Sequence, residues 1–134
     1  MSIRVSGFSH VTIDVRDLTV SLRFYLDVLG MRLVHQGEHD AYLEWGSAWI
    51  CLQERHVTSF GAPQTQQGGV DHVAFSISTE DFDDAVAVLQ EANVPLVRGP
   101  VARGTGWSVN FRDPDGTELE LHTATLAERM TVWR

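Results

Sequence analysis

Two nine-residue stretches carry the same hydrophobic pattern: Gly7-Phe8-Ser9-His10-Val11-Thr12-Ile13-Asp14-Val15 and Gly69-Val70-Asp71-His72-Val73-Ala74-Phe75-Ser76-Ile77. In each, a histidine stands three positions after a glycine, and the residues that follow alternate between apolar and small or polar, the period of a half-buried strand. A pattern that recurs within one chain marks two copies of a supersecondary unit.

A helical stretch follows each strand. Over residues 17–29, Leu18, Leu22, Tyr25, Leu26 and Leu29 recur at helical spacing, and Gly30 closes the run. In the second copy a helix is predicted from Thr79 to about Asn93. Glu80, Asp81 and Asp83 occupy its first turn, where the helix dipole favours anions, and Phe82, Val86 and Leu89 form its apolar stripe. Three short strands follow in each copy: residues 31–36, 41–45 and 48–53 in the first, 94–97, 107–112 and 117–122 in the second. The last two are joined by Asp113-Pro114-Asp115-Gly116, whose composition reverses a chain.

Each half therefore reads βαβββ, an α+β architecture. The halves cover about residues 5–54 and 70–123, the connection 55–69 is rich in Gly, Gln, Thr and Pro, and residues 124–134 are predicted as a closing helix. Neither half can bury its apolar strand face alone, so the halves must pair, within one chain or across a dimer.

Alternation places His10, Thr12 and Asp14 on one face of the first strand, His72, Ala74 and Ser76 on the equivalent face of the fifth, and Glu118, Glu120 and His122 on the last. Two imidazoles and a carboxylate suit a divalent metal such as Mn, Fe, Zn or Ni with positions left open for substrate. His10, His72 and Glu120 are the candidate ligands. His35, His39 and His56 lie in polar or turn-rich contexts, and Cys51 falls where the repeat places the counterpart of Glu120.

The whole-chain composition narrows the remaining options. At 134 residues, with 43% hydrophobic and 21% charged residues, the chain fits one globular domain. A net charge of -8 argues against a nucleic-acid surface. All ten basic residues are arginine, so an anionic ligand would meet guanidinium forks, hydroxyls or backbone amides. The single cysteine excludes an intramolecular disulfide, and no apolar run is long enough to span a bilayer, which leads us to expect a cytoplasmic protein.

The motifs Ser9-His10-Val11-Thr12, Phe24-Tyr25-Leu26-Asp27-Val28-Leu29-Gly30, Ala41-Tyr42-Leu43-Glu44-Trp45-Gly46-Ser47, Trp49-Ile50-Cys51-Leu52, His72-Val73-Ala74-Phe75, Asp113-Pro114-Asp115-Gly116 and Leu119-Glu120-Leu121-His122 together resemble the vicinal oxygen chelate superfamily (glyoxalase, bleomycin resistance and dioxygenase proteins) and, within it, the fosfomycin resistance enzymes. The resemblance implies paired βαβββ modules forming a cupped mixed sheet around a metal site, completed in a homodimer. It implies Mn held by His10, His72 and Glu120, with His10 contributed by a different subunit from the other two. The implied reaction opens an epoxide or related electrophile by adding glutathione, another thiol or water.

Further roles follow from the same resemblance: Thr12 as a hydroxyl near the substrate anion, Asp40 as general base for water with Glu44 as a weaker candidate, Tyr42, Trp49 and Ser108 as cavity wall, and Arg103 and Arg129 as anion clamps. The chain departs from the transferases at Pro100, Val70 and Asn110, where they carry a phosphonate-gripping lysine and two tyrosines, and the loop Gly104-Thr105-Gly106-Trp107-Ser108 departs from their potassium-binding loop. Arg98 or Arg103 could supply the lost charge. The alternatives are another metalloenzyme of the superfamily (an isomerase, a lyase or an extradiol-type dioxygenase) and a metal-free drug-binding protein.

Overall fold

The computed structural model describes residues 2–56 and 69–132, so most of the connection between the halves, residues 57–68, and the last two residues of the expected closing helix lie outside the described residues. The first half is β1 (Val11–Val15), α1 (Leu18–Leu22), a π-helical turn (Arg23–Val28), β2 (Arg32–Gln36), β3 (Asp40–Trp45) and β4 (Ala48–Glu54). The second half is β5 (Val73–Ser76), α2 (Thr79–Glu91), β6 (Leu96–Arg103), β7 (Gly106–Arg112) and β8 (Glu118–His122), followed by α3 (Leu126–Met130). No helix among the described residues is long and apolar enough to cross a membrane.

The halves form two four-stranded sheets of the same order, β1-β4-β3-β2 and β5-β8-β7-β6. In each, the first strand runs parallel to the last and the other pairings are antiparallel. The register makes the repeat exact at one informative place: Thr12 faces Cys51 as Ala74 faces Glu120. Cys51 is thus the counterpart of Glu120.

The inward residues of both sheets join one core. Ile13, Val15, Leu43, Ile50 and Leu52 of the first sheet and Phe75, Val109, Phe111, Leu119 and Leu121 of the second are buried with Phe82, Val86 and Leu89 of α2. Rings cross between the halves, with Trp45 5.0 Å from Phe75 and Phe24 6.5 Å from Phe111.

Local structure differs from expectation in three places. The first helix turns π-helical after Leu22, which widens the turn and buries the adjacent rings of Phe24 and Tyr25 together. Helix α2 stops at Glu91 because Asn93 adopts a positive φ of 56°. Strand β6 runs from Leu96 to Arg103, well past the expected end at Val97, through Gly99 and Pro100, residue types that weaken a strand interior; two register shifts against β7 accommodate them. Gly99 is required there, since a Cβ would lie 2.6 Å from the Ser108 carbonyl oxygen.

The turn between β7 and β8 clasps the halves together. Tyr25 donates its hydroxyl to Asp113 Oδ2 at 2.7 Å, and Asp113 Oδ1 accepts from the backbone N–H groups of Asp115 and Thr117. Burial pushes the Asp113 carboxyl up while these three donors pull it down. Burial, together with the neighbouring Asp113 charge, raises the Tyr25 phenol well above its usual value, so it remains a donor. Asp115 reaches back to Arg16 and to the Ser21 hydroxyl.

Helix α1 is capped twice: Asp17 accepts from Val20 N–H, and Glu54 at the end of β4 accepts from Leu18 N–H at 2.8 Å. The Leu18 bond, then His39, holds the Glu54 carboxyl below its ordinary range.

Tyr25→Phe should leave buried Asp113 one donor short and cost about 1.5–3 kcal/mol, read as a lower urea midpoint with unchanged m. Because Glu54 titrates lower in the folded chain than in the unfolded one, its stabilisation is present above the unfolded range and is lost as pH falls. Urea midpoints should therefore drop as pH goes from about 5 towards 3, and Glu54→Gln should flatten part of that slope.

Candidate metal centre

The second sheet gathers the polar residues of β5, β7 and β8 on one face. His72 Nε2 lies 2.8 Å from Glu120 Oε1. Two ligands about 2.1 Å from one ion and at right angles to each other are about 3.0 Å apart, so the pair is spaced as neighbouring ligands are. Glu120 is 8% exposed, and the groups near its oxygens are His72, the Asn110 amide at 3.4 Å and His122 Nδ1 at 3.4 Å. A carboxylate buried among groups of this kind favours a cation beside it. The donor set fits a divalent metal.

Among the described residues, Ser108 Oγ and Asn110 Oδ1 on this face are buried without a hydrogen-bond partner, and His122 Nδ1 has only its 3.4 Å approach to Glu120. Ser108 and Asn110 are 0% and 1% exposed. Unsatisfied groups at that depth are costly and mark a surface shaped for a polar ligand. Asn110 donates to Glu118 at 2.9 Å and reaches towards Glu120 at 3.4 Å.

The first sheet presents the equivalent face. His10 is exposed and stacks on Trp49 with ring centroids 4.0 Å apart; Trp49 meets Tyr42 edge-on, and Tyr42 meets His35. Thr12 is exposed on β1 beside Cys51, whose thiol is pushed up by burial and by the Asp40 charge while the Thr12 hydroxyl pulls it down. A thiol held in its neutral form is a poor nucleophile. Asp40 begins β3, and Glu44 is taken up by an ion pair with Arg32. His39 contacts Glu54 and Glu38.

The structure therefore brings together His72, Glu120 and Ser108 on one sheet, and His10, Thr12, Tyr42 and Trp49 on the other. Among the described residues, the group of three potential ligand atoms lying mutually within 4.8 Å is Asp71, His72 and Glu118, and His10 is not part of it. Arg103 ends β6, and Arg129 of α3 lies over the next turn, its Cδ 3.2 Å from where a Cβ on Gly104 would stand. An open cavity of about 560 Å³ between the two sheets is lined by Phe8, Trp45, Trp49, Val73, Phe75 and Leu121 among others, beside the candidate ligands rather than at them.

Residues 7–121 match the model of the glyoxalase/bleomycin resistance protein/dioxygenase superfamily. The chain belongs to this superfamily. It is 36% identical to the metallothiol transferase FosB of Staphylococcus epidermidis over 133 residues, 97% of this chain and 90% of that protein. To the glutathione transferase FosA of Serratia marcescens it is 33% identical over 130 residues, 97% and 89% of the two chains. Among solved structures, the fosfomycin resistance protein FosX of Listeria monocytogenes, complexed with Mn(II) and sulfate, superposes with a TM-score of 0.76 at 27% identity over 96% of this chain and 98% of that one. Superfamily membership accounts for the two mixed sheets with their helices.

Sequence reasoning passed over Ser9 and Asp71, which precede the two histidines and touch their rings. The repeat itself carried the signal, because both positions hold a side-chain oxygen.

Proposed function

We propose that this protein is a metal-dependent enzyme of the fosfomycin-resistance type, opening an epoxide or related electrophile by addition of a thiol or water. The observation that carries the proposal is the 2.8 Å pairing of His72 with buried Glu120 in a chain whose relatives include FosA, FosB and FosX. Mn is the proposed ion, with His10, His72 and Glu120 as its ligands. When bound, a divalent ion supplies Lewis acidity towards an oxygen of the substrate.

The chain's own groups do the rest. The Thr12 and Ser108 hydroxyls bind substrate oxygens, Tyr42 and Trp49 form the apolar wall, and Arg103 and Arg129 hold the anionic end by guanidinium forks. Asp40 takes a proton from water if water is the nucleophile; a thiol cosubstrate must likewise give up its proton and attack as the thiolate, the proton ending on the opened oxygen or in solvent.

The same reading requires two copies. β1 and β5 are both sheet-edge strands, and apolar Phe8 and Val70 just before them are 85% and 67% exposed. Pairing the β1 edge of one copy with the β5 edge of another joins the sheets into one cup and brings His10 to the partner subunit's His72 and the partner subunit's Glu120. Such a homodimer satisfies the exposed edges. We place it in the cytoplasm.

Purified protein should bind Mn(II), and His72→Ala or Glu120→Gln should weaken that binding more than about 100-fold, beyond the usual effect of an outer hydrogen-bond partner. Turnover of fosfomycin with glutathione, other thiols and water then identifies the nucleophile; absence of turnover with all three removes this substrate. Mixing inactive His10→Ala and His72→Ala chains in equal amounts should restore about a quarter of the wild-type activity, since half the dimers are mixed and each contains one intact site. A site built within one chain would restore none.

A further inference from the structure

In both copies of the repeat, the residue directly before the histidine touches its ring. Ser9 Oγ lies 2.8 Å from His10 Nδ1, and Asp71 Oδ2 lies 2.8 Å from His72 Nδ1. The two contacts match in geometry and differ in chemistry. A carboxylate can only accept, so Asp71 takes the hydrogen on Nδ1 of the His72 ring; Nε2 faces a second carboxylate, Glu120, at 2.8 Å, and turns its lone pair to a metal once an ion stands between the two in place of the Nε2 hydrogen. A hydroxyl can donate or accept, so Ser9 does not select the tautomer of His10. The ring of His10 is instead steadied by stacking on Trp49.

We propose that Asp71 is a positioning residue of the metal centre: it fixes the tautomer and rotation of His72, making a carboxylate–histidine–metal relay in the second copy of the repeat that the first copy lacks. The inference rests on the metal reading given above. Outer partners of this kind orient the ring and raise its basicity as a ligand. Asp71 and Glu118 both approach His72 closely enough to suggest direct ligation. Asp71, however, is engaged at Nδ1, on the opposite edge of the ring from Nε2, so it does not share an ion with that nitrogen.

The test is Mn(II) titration of the metal-free protein, followed by loss of the free-ion electron paramagnetic resonance signal, for the unsubstituted chain and for Asp71→Ala, Asp71→Asn, Asp71→Ser, Ser9→Ala and His72→Ala. Asp71→Ala should weaken binding about 10–100-fold. Asp71→Asn and Asp71→Ser, which keep an acceptor at Nδ1 without the charge, should recover to within about tenfold of the unsubstituted chain. Ser9→Ala should lose less than Asp71→Ala. The thermal midpoint of the metal-free Asp71→Ala protein should be almost unchanged because the side chain is exposed. Unchanged Mn(II) affinity in Asp71→Ala overturns the proposal, and so does equal weakness in all three Asp71 variants, which would assign Asp71 a direct-ligand or purely electrostatic role. If His72→Ala also binds normally, the metal reading falls with it; if only His72→Ala fails to bind, the metal reading stands and this inference alone is lost.

Discussion

The buried bond between the Tyr25 hydroxyl and Asp113 locks together two sheets that share one apolar core. Asp113 has one oxygen on the backbone of its own turn and the other on a helix of the opposite half. The turn cannot shift without breaking a hydrogen bond to a buried carboxylate, and that turn sets where β8, and so Glu120, begins. The π-helical stretch has a purpose in this light: it buries the Tyr25 ring beside Phe24, with the hydroxyl within reach of Asp113. Packing, the turn and the placement of a metal-capable carboxylate are thus one mechanical unit.

Duplication has let the two faces diverge. The register that pairs Ala74 with Glu120 pairs Thr12 with Cys51, so one half offers a carboxylate where the other offers a small thiol. Around Glu120 the second half collects buried polar atoms with unused hydrogen-bonding capacity. Around Cys51 the first half collects rings, from His10 through Trp49 and Tyr42 to His35.

Much of this was legible in the sequence because it depended on local period and repetition. The two βαβββ units, the approach of His72 to Glu120, and the equivalence of Cys51 to Glu120 all follow from alternation and from the internal repeat. What the sequence hid depends on tertiary contact. Apolar spacing does not distinguish an α-turn from a π-turn, since both bury Leu22 and Tyr25. The strand expected over 94–97 continues to Arg103 because register shifts against its neighbour β7 absorb Gly99 and Pro100. The contact of Asp71 with the His72 ring was hidden because it is a side-chain distance, which no periodicity reports.

The strands at the edges carry a kinetic consequence. A sheet ending at β1 or β5 offers a row of unpaired amide and carbonyl groups, and if a second copy completes it, completion is a bimolecular event. The time a new chain spends with those edges bare then lengthens in proportion as the chain becomes scarcer. During that interval any extended peptide can compete for the same row of hydrogen bonds, so abundance governs how faithfully the protein assembles as well as how much of it there is.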